Sequence, residues 1–332
     1  MKAAWYERSG KASEVLQVGT QAKPAPQPGE VLVRIHASGV NPSDTKARNG
    51  LRSRNAGYAK VIPHQDGAGV IEAVGKGVDP GRVGERVWIY EAQLGRPFGC
   101  AAQYTAVPDA NAVPLPEHTS YEEGACLGVP ALTAHYCVTA DGPIQGKTVL
   151  VHGGAGAVGF YAIQFAKLAQ ATVISTISTP EQAQIAKRAG ADHIIFRKSE
   201  NIKDRIADIT QAEAGRGIDR IIDVAFGANL QTNIAVLKQN GVIATYASDQ
   251  AATPQIPFHD LLALNATIRY VLVYRMSRAD HQRSIQAVTE ALRAQQLTHH
   301  IAARFSLDQI VQAHETVEAG SPGGKVMLVI DP

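Results

Sequence analysis

A short apolar strand, Thr148-Val-Leu-Val-His152, runs straight into Gly153-Gly-Ala-Gly-Ala-Val-Gly159, and a helix-patterned segment follows at once. Within the loop, Gly154-Ala155-Gly156-Ala157-Val158-Gly159 has the spacing G-x-G-x-x-G. Alone that spacing says little. Between a strand and the helix it opens, it is the loop that receives a dinucleotide pyrophosphate. Glycines let the diphosphate approach the backbone, and the unpaired N–H groups and dipole of the helix N-terminus favour its charge. The bland alternative is a tight turn with close helix packing, and the strand–loop–helix context argues against it. Gly153, Gly154, Gly156, Ala157, Val158 and Gly159 are therefore the candidate pyrophosphate residues. Residues 148–166 are nearly uncharged and long enough to suggest a membrane span, but four glycines and a change from strand to helix patterning exclude that.

The units that follow repeat the alternation. Strand 171–177, helix 180–189, strand 193–196, helix 202–212, strand 218–224, helix 229–237 and strand 241–246 are predicted in turn, and this spacing means βαβ units and a parallel sheet. Before them the chain is strand-rich, with alternating segments at 31–36, 69–74 and 85–90. After them comes mixed structure: strand 267–274, helices near 279–295 and 307–319, and strand 325–330. The strand at 267–274 reads as a terminal strand of the parallel sheet.

Composition narrows the class. Among 332 residues, Lys plus Arg number 32 and Asp plus Glu 30, which gives no electrostatic case for nucleic acid or an anionic membrane. Three scattered cysteines exclude a disulfide scaffold and suit a reducing, cytoplasmic setting. Glu7 and Arg8 stand where a signal peptide needs an apolar core. Gly142-Pro-Ile-Gln-Gly-Lys-Thr148 imitates a P-loop, but it is one residue short and its lysine precedes a strand. No G-x-S-x-G nucleophile motif occurs, and the adjacent His299 and His300 would point to opposite faces of a strand.

The second strand of the alternating region indicates the dinucleotide. NAD sites place an acid at its end to bond the ribose hydroxyls. Here the strand ends in Ser178-Thr179, and the first acid, Glu181, lies already in a helix. Nothing there repels a 2′-phosphate. Ser178 and Thr179 can donate to it, and Arg197, just past the third strand, can bring charge; a solvated loop is the alternative for Arg197. NADP(H) is thus expected over NAD(H).

Four ordered motifs carry a family resemblance: Gly39-Val-Asn-Pro-Ser-Asp44, Gly67-Ala-Gly-Val-Ile-Glu-Ala-Val-Gly75, Gly128-Val-Pro-Ala-Leu-Thr-Ala134 and Val151-His-Gly-Gly-Ala-Gly-Ala-Val-Gly159. Over nearly its whole length the chain resembles the medium-chain dehydrogenases/reductases, and within them the zinc-free, ζ-crystallin-like quinone oxidoreductases. The resemblance implies an α/β chain with a GroES-like β-rich catalytic domain made of both ends, residues 1–129 and 267–332. A Rossmann domain with a doubly wound parallel sheet, residues 130–266, lies between, with the active site in the cleft. It also implies cofactor contacts: Asn41 beside the nicotinamide and substrate, Thr133 at the carboxamide, Val271 and Val273 lining the nicotinamide, Tyr246 and Ser248 flanking the cofactor, and Lys325 towards its phosphate end.

The resemblance bears on metal as well. Where zinc-dependent members carry ligands, this chain has Asn41, Gln65 and Val129, with His64 one residue out of register, so no metal is expected. In the loop after Asn41, where several bacterial relatives have tyrosines, this chain has Lys46 and Arg52, and Arg197 replaces a tyrosine near the third Rossmann strand. Lys46 and Arg52 are candidate catalytic groups if they face the cleft, and solvated cations otherwise.

A zinc-independent, NADPH-dependent quinone reductase is the function expected. A quinone is electrophilic enough to need little polarisation, so positioning it against the reduced cofactor supplies much of the catalysis. An enone or 2-alkenal reductase is the enzymatic alternative and needs a placed proton donor, such as Tyr58, Lys46 or water. A non-catalytic NADPH-binding or RNA-binding role is the alternative of another class. Assembly as a homodimer through the apolar 267–274 edge is also expected.

Overall fold

The computed structural model describes residues 1–51, 57–212, 215–320 and 323–331. They form two compact units: Met1–Val129 with Val288–Pro332, and Pro130–Ala287.

In the first unit, β1 (Lys2–Trp5) pairs antiparallel with β2 (Gln17–Thr20). The main sheet is built on β3 (Glu30–Val40), whose inward residues Val31, Val33 and Ile35 are fully buried. Joined to it are β4 (Asp66–Val74), β5 (Arg86–Ile89), β6 (Tyr104–Pro108) and β7 (Ala112–Pro114).

The second unit holds the alternating region. Its strands are β8 (Thr148–His152), β9 (Thr172–Ile177), β10 (His193–Phe196), β11 (Ile218–Asp223), β12 (Leu237–Thr245) and β13 (Thr267–Tyr270). All pair in parallel, in the order β10-β9-β8-β11-β12-β13. Counted within the unit this is 3-2-1-4-5-6, the doubly wound dinucleotide-binding order. Val149, Leu150 and Val151 have no exposure, as expected of a parallel strand covered on both faces.

The chain then returns to the first unit with β14 (Ile301–Ser306) and β15 (Lys325–Val329), completing the order β14-β15-β3-β4-β5-β7, with β6 also on β3.

Two expectations are corrected. The strand expected over 267–274 ends at Tyr270, and a 3₁₀ turn occupies Val273–Arg275. Because β13 is hydrogen-bonded to β12, residues 267–287 group with the parallel sheet, and the return to the first unit comes at Val288 rather than at 267.

Candidate active site

The loop between β8 and the helix Ala157–Leu168 needs its glycines for three different reasons. Gly153 has φ +67°, a left-handed conformation that costs glycine little. A Cβ on Gly154 would lie 2.1 Å from Ser175 Oγ, and one on Gly159 would lie 2.4 Å from the Gly153 carbonyl oxygen. Gly156 caps the helix in extended conformation, so Ala157 and Val158 begin its first turn. No side chain caps that end, and its first N–H groups remain for an anion. The loop therefore fits a dinucleotide pyrophosphate.

The end of β9 fits a 2′-phosphate. Arg197 Nε donates to Ser178 Oγ at 2.7 Å, joining two residues the sequence placed 19 apart. That bond leaves the terminal guanidinium nitrogens for a ligand. Thr179 is already the N-cap of the helix Pro180–Arg188, accepting from Gln182 N–H at 3.3 Å. Ser248 is committed as well: its hydroxyl accepts from Gly227 N–H at 3.0 Å and donates to the Ala251 carbonyl at 2.6 Å. Tyr246 follows β12, and Val271 is buried, its N–H bonded to the Thr245 carbonyl at 2.7 Å. Val273 is buried and its carbonyl accepts from His281 Nε2 at 2.8 Å, so that oxygen already has a partner. Thr133 is buried in the helix Gly128–Thr139.

In the first unit, sheet order assembles a second polar cluster. β15, β3 and β4 are neighbours, with Val326 opposite Val40 and Gly39 opposite Asp66. Lys325 begins β15, Asn41 follows β3 and Asp66 begins β4, so all three meet at one end of the sheet. Lys325 Nζ donates to Asn41 Oδ1 at 2.6 Å and to Asp66 Oδ2 at 2.7 Å. Asn41 Nδ2 donates to the same Asp66 oxygen at 2.8 Å. Asp66 Oδ1 accepts Val129 N–H at 2.9 Å, at the start of the helix Gly128–Thr139. All three polar side chains are buried.

Two motif glycines permit this arrangement. A Cβ on Gly39 would meet Lys325 Cε at 2.4 Å, and one on Gly128 would meet Asp66 Oδ1 at 2.2 Å. Asp44 completes the cluster, its Oδ2 accepting Asn41 N–H at 2.8 Å across the first turn of the helix Pro42–Arg48. Burial, and then the negative charge of Asp66, push the Asp44 carboxyl up to about 7.

Lys325 is thus a correction. Expected at the cofactor's phosphate end, it is instead buried in the first unit with its ammonium spent on Asn41 and Asp66. Asp66 and Asp44 were missed by sequence reasoning. The Asn41-Pro-Ser-Asp44 spacing is a capping-box signal that could have found Asp44. Nothing local marks Asp66, because its partners come from distant strands. Lys46 is half-buried in the helix Pro42–Arg48, and Arg52 lies outside the described residues.

Of the positions compared with metal ligands, Gln65 is tied to Gln93, accepting its N–H at 3.1 Å. His64 is buried between Ser38 Oγ at 2.8 Å and His314 Nε2 at 2.9 Å. Among the described residues no group of three or more His, Cys, Asp and Glu could hold a metal ion. No helix among them is long and apolar enough to cross a membrane.

A GroES-like sheet unit and a six-stranded parallel unit with a pyrophosphate loop define a two-domain, dinucleotide-dependent oxidoreductase. Comparison with known proteins agrees: residues 27–117 match the alcohol dehydrogenase GroES-like domain and residues 157–291 the zinc-binding dehydrogenase domain. The human quinone oxidoreductase is 30% identical over 320 residues, covering 96% of this chain and 94% of the human protein. A mycobacterial protein solved with NADPH superposes with TM-score 0.87 at 27% identity, covering 99% of this chain and 100% of its own. An NAD-dependent alcohol dehydrogenase superposes with TM-score 0.89 at 25% identity over 100% of both chains. The chain belongs to the quinone oxidoreductase family of the medium-chain dehydrogenases/reductases.

Proposed function

We propose that this protein is an NADPH-dependent quinone reductase that works without zinc. The observation that carries the reading is what stands at the metal-ligand positions. Val129 offers no donor side chain, Gln65 is paired with Gln93, and Asn41 is bonded on both sides of its amide by Asp66 and Lys325. A zinc site needs thiolate, imidazole or carboxylate ligands around an open position, and these three residues supply none. Similarity to quinone oxidoreductases supports the choice of a quinone, a substrate that can be reduced without a Lewis acid on its oxygen.

The cofactor is NADP(H), which when bound supplies the reducing equivalents. The protein's part is to hold it. The free N–H groups at the start of the helix Ala157–Leu168 take the pyrophosphate, and Arg197 braced by Ser178 takes the 2′-phosphate. Asn41 is assigned to the substrate, with a supporting role for Lys46. Of the proton donors an enone reductase could use, Tyr58, Lys46 or water, Tyr58 already donates its hydroxyl to the Gly95 carbonyl at 2.5 Å. Association as a homodimer through β13 belongs to the same reading.

The test is NADPH-dependent turnover of 1,4-benzoquinone, a sulfonated naphthoquinone and a simple enone. Both quinones should be reduced with the larger kcat/KM. A much larger kcat/KM for the enone would overturn the assignment.

A further inference from the structure

The side-chain amide of Asn41 lies between two groups whose chemistry is one-sided. An ammonium can only donate and an ionised carboxylate can only accept. Lys325 Nζ therefore fixes which end of the amide is oxygen, at 2.6 Å, and Asp66 Oδ2 fixes which end is nitrogen, at 2.8 Å. The two partners are also bonded to each other at 2.7 Å, closing a ring of three contacts. Asp66 is held from behind by Val129 N–H at 2.9 Å, and its carboxylate faces the start of a helix, where negative charge is favoured. No rotation of the Asn41 amide keeps these bonds.

We propose that Lys325 and Asp66 are positioning residues that lock Asn41 as a hydrogen-bond donor towards the substrate. This rests on the quinone-reductase reading above, in which Asn41 touches the substrate. An amide nitrogen carries two hydrogens, and Asp66 takes one of them; among the described residues the other has no acceptor. It is therefore left for a ligand oxygen. The ammonium on Oδ1 draws electron density from the amide and makes that N–H a stronger donor. A quinone oxygen gains negative charge as it is reduced, so a fixed donor is worth more in the transition state than in the ground state. The positive charge of the cluster comes from Lys325, and Asp66 balances it so that neither charge is buried alone. Gly39 and Gly128 leave the room that the lysine stem and the helix start require.

The experiment is a double-mutant cycle on the full chain with Asn41→Ala, Lys325→Met and both together, reading kcat and KM for 1,4-benzoquinone and the NADPH dissociation constant. Asn41→Ala should lower kcat by about 100-fold, the low end for one lost oxyanion donor, and Lys325→Met by about 10- to 100-fold, because it loosens that donor without removing it. NADPH binding should stay within about twofold of wild type in Lys325→Met, whose ammonium is held by Asn41 and Asp66. The double variant should be no slower than Asn41→Ala within about threefold, because Lys325 acts only through that amide. Lys325→Met/Asp66→Asn, which removes both buried charges, serves where Lys325→Met does not fold, and should show the same non-additivity with Asn41→Ala. Losses that multiply, or full kcat in a folded Lys325 variant, would overturn the positioning role. A NADPH affinity that falls tenfold or more on losing Lys325 would overturn it too, returning Lys325 to the cofactor. Wild-type turnover in Asn41→Ala would instead defeat the placement of Asn41 at the substrate, and the positioning role with it.

Discussion

His64 and His314 face each other through Nε2 at 2.9 Å in the interior of the first unit, their rings stacked with centroids 5.1 Å apart. One hydrogen can lie between two ring nitrogens at that distance, so one imidazole donates and the other accepts. Burial, the facing His314 and then Lys325 hold His64 well below its ordinary value. Burial and then Arg48 hold His314 at about 3. In the unfolded chain both titrate near 6.5. Above that pH neither state takes up these protons and the pair leaves stability unchanged. As pH falls below 6.5 the unfolded chain binds two protons that the folded unit refuses, so stability is lost by up to ~2.7 kcal/mol per pH unit. The two tryptophans, Trp5 and Trp88, both lie in this unit, so urea unfolding followed by their emission reports on it. His314→Phe should reduce the loss between pH 6.5 and 5 by about one proton equivalent. A pH slope identical to wild type would reject the neutral pair.

Cofactor choice follows from Arg197 and Ser178. Arg197→Ala should weaken NADPH binding by about 1.5–3 kcal/mol, the worth of a hydrogen bond to a charged group, and leave NADH binding nearly unchanged. Ser178→Ala removes the brace on Nε and should cost less. Equal losses for both cofactors would place Arg197 at the pyrophosphate or in the fold instead.

Zinc independence is open to a direct measurement. Activity should survive prolonged chelation, and elemental analysis of untagged protein should find no stoichiometric zinc. A zinc content near one per chain would mean that ligands other than Asn41, Gln65 and Val129 had been recruited.

The parallel sheet was legible almost strand for strand. β8 and β10 fall on their expected residues, because glycine and proline punctuate the alternation and each strand reads as an apolar run. The helix that precedes β12 begins earlier than expected, at Phe226, since Asp223 accepts the Ala225 N–H and the Asn229 amide and draws the turn towards itself. The candidate site was legible where its residues sit in a local motif, as in the glycine loop, and Ser178 and Arg197 come together because two short segments end side by side. It was not legible at Lys325. Its partners lie 284 and 259 residues away in sequence, and only the order β15-β3-β4 brings them together. A lone lysine before an apolar strand looks like a surface cation, and nothing in its neighbours reveals the buried acid it neutralises.

The edge of the parallel sheet carries the last prediction. β13 pairs with β12 alone, so among the described residues its other side has no strand. Tyr270 at its end is 68% exposed, and nearby in sequence Phe258 and Leu262 are 64% and 61% exposed. An open edge flanked by large apolar side chains is a template for pairing, and such edges are normally protected by charge, proline or a partner. Arg269 does not protect this one, because its guanidinium is held in a bidentate ion pair by Asp141, with Nε to Oδ2 at 2.6 Å. A second copy meeting this edge would cover the apolar residues and continue the sheet. Light scattering should therefore give twice the chain mass at micromolar concentration. Tyr270→Asp combined with Leu262→Asp should shift the protein towards monomer without unfolding it, since both side chains are exposed in the single chain. A wild-type mass that stays at one chain across concentration would reject the edge as an interface. A dimer unaffected by the double substitution would put the interface elsewhere.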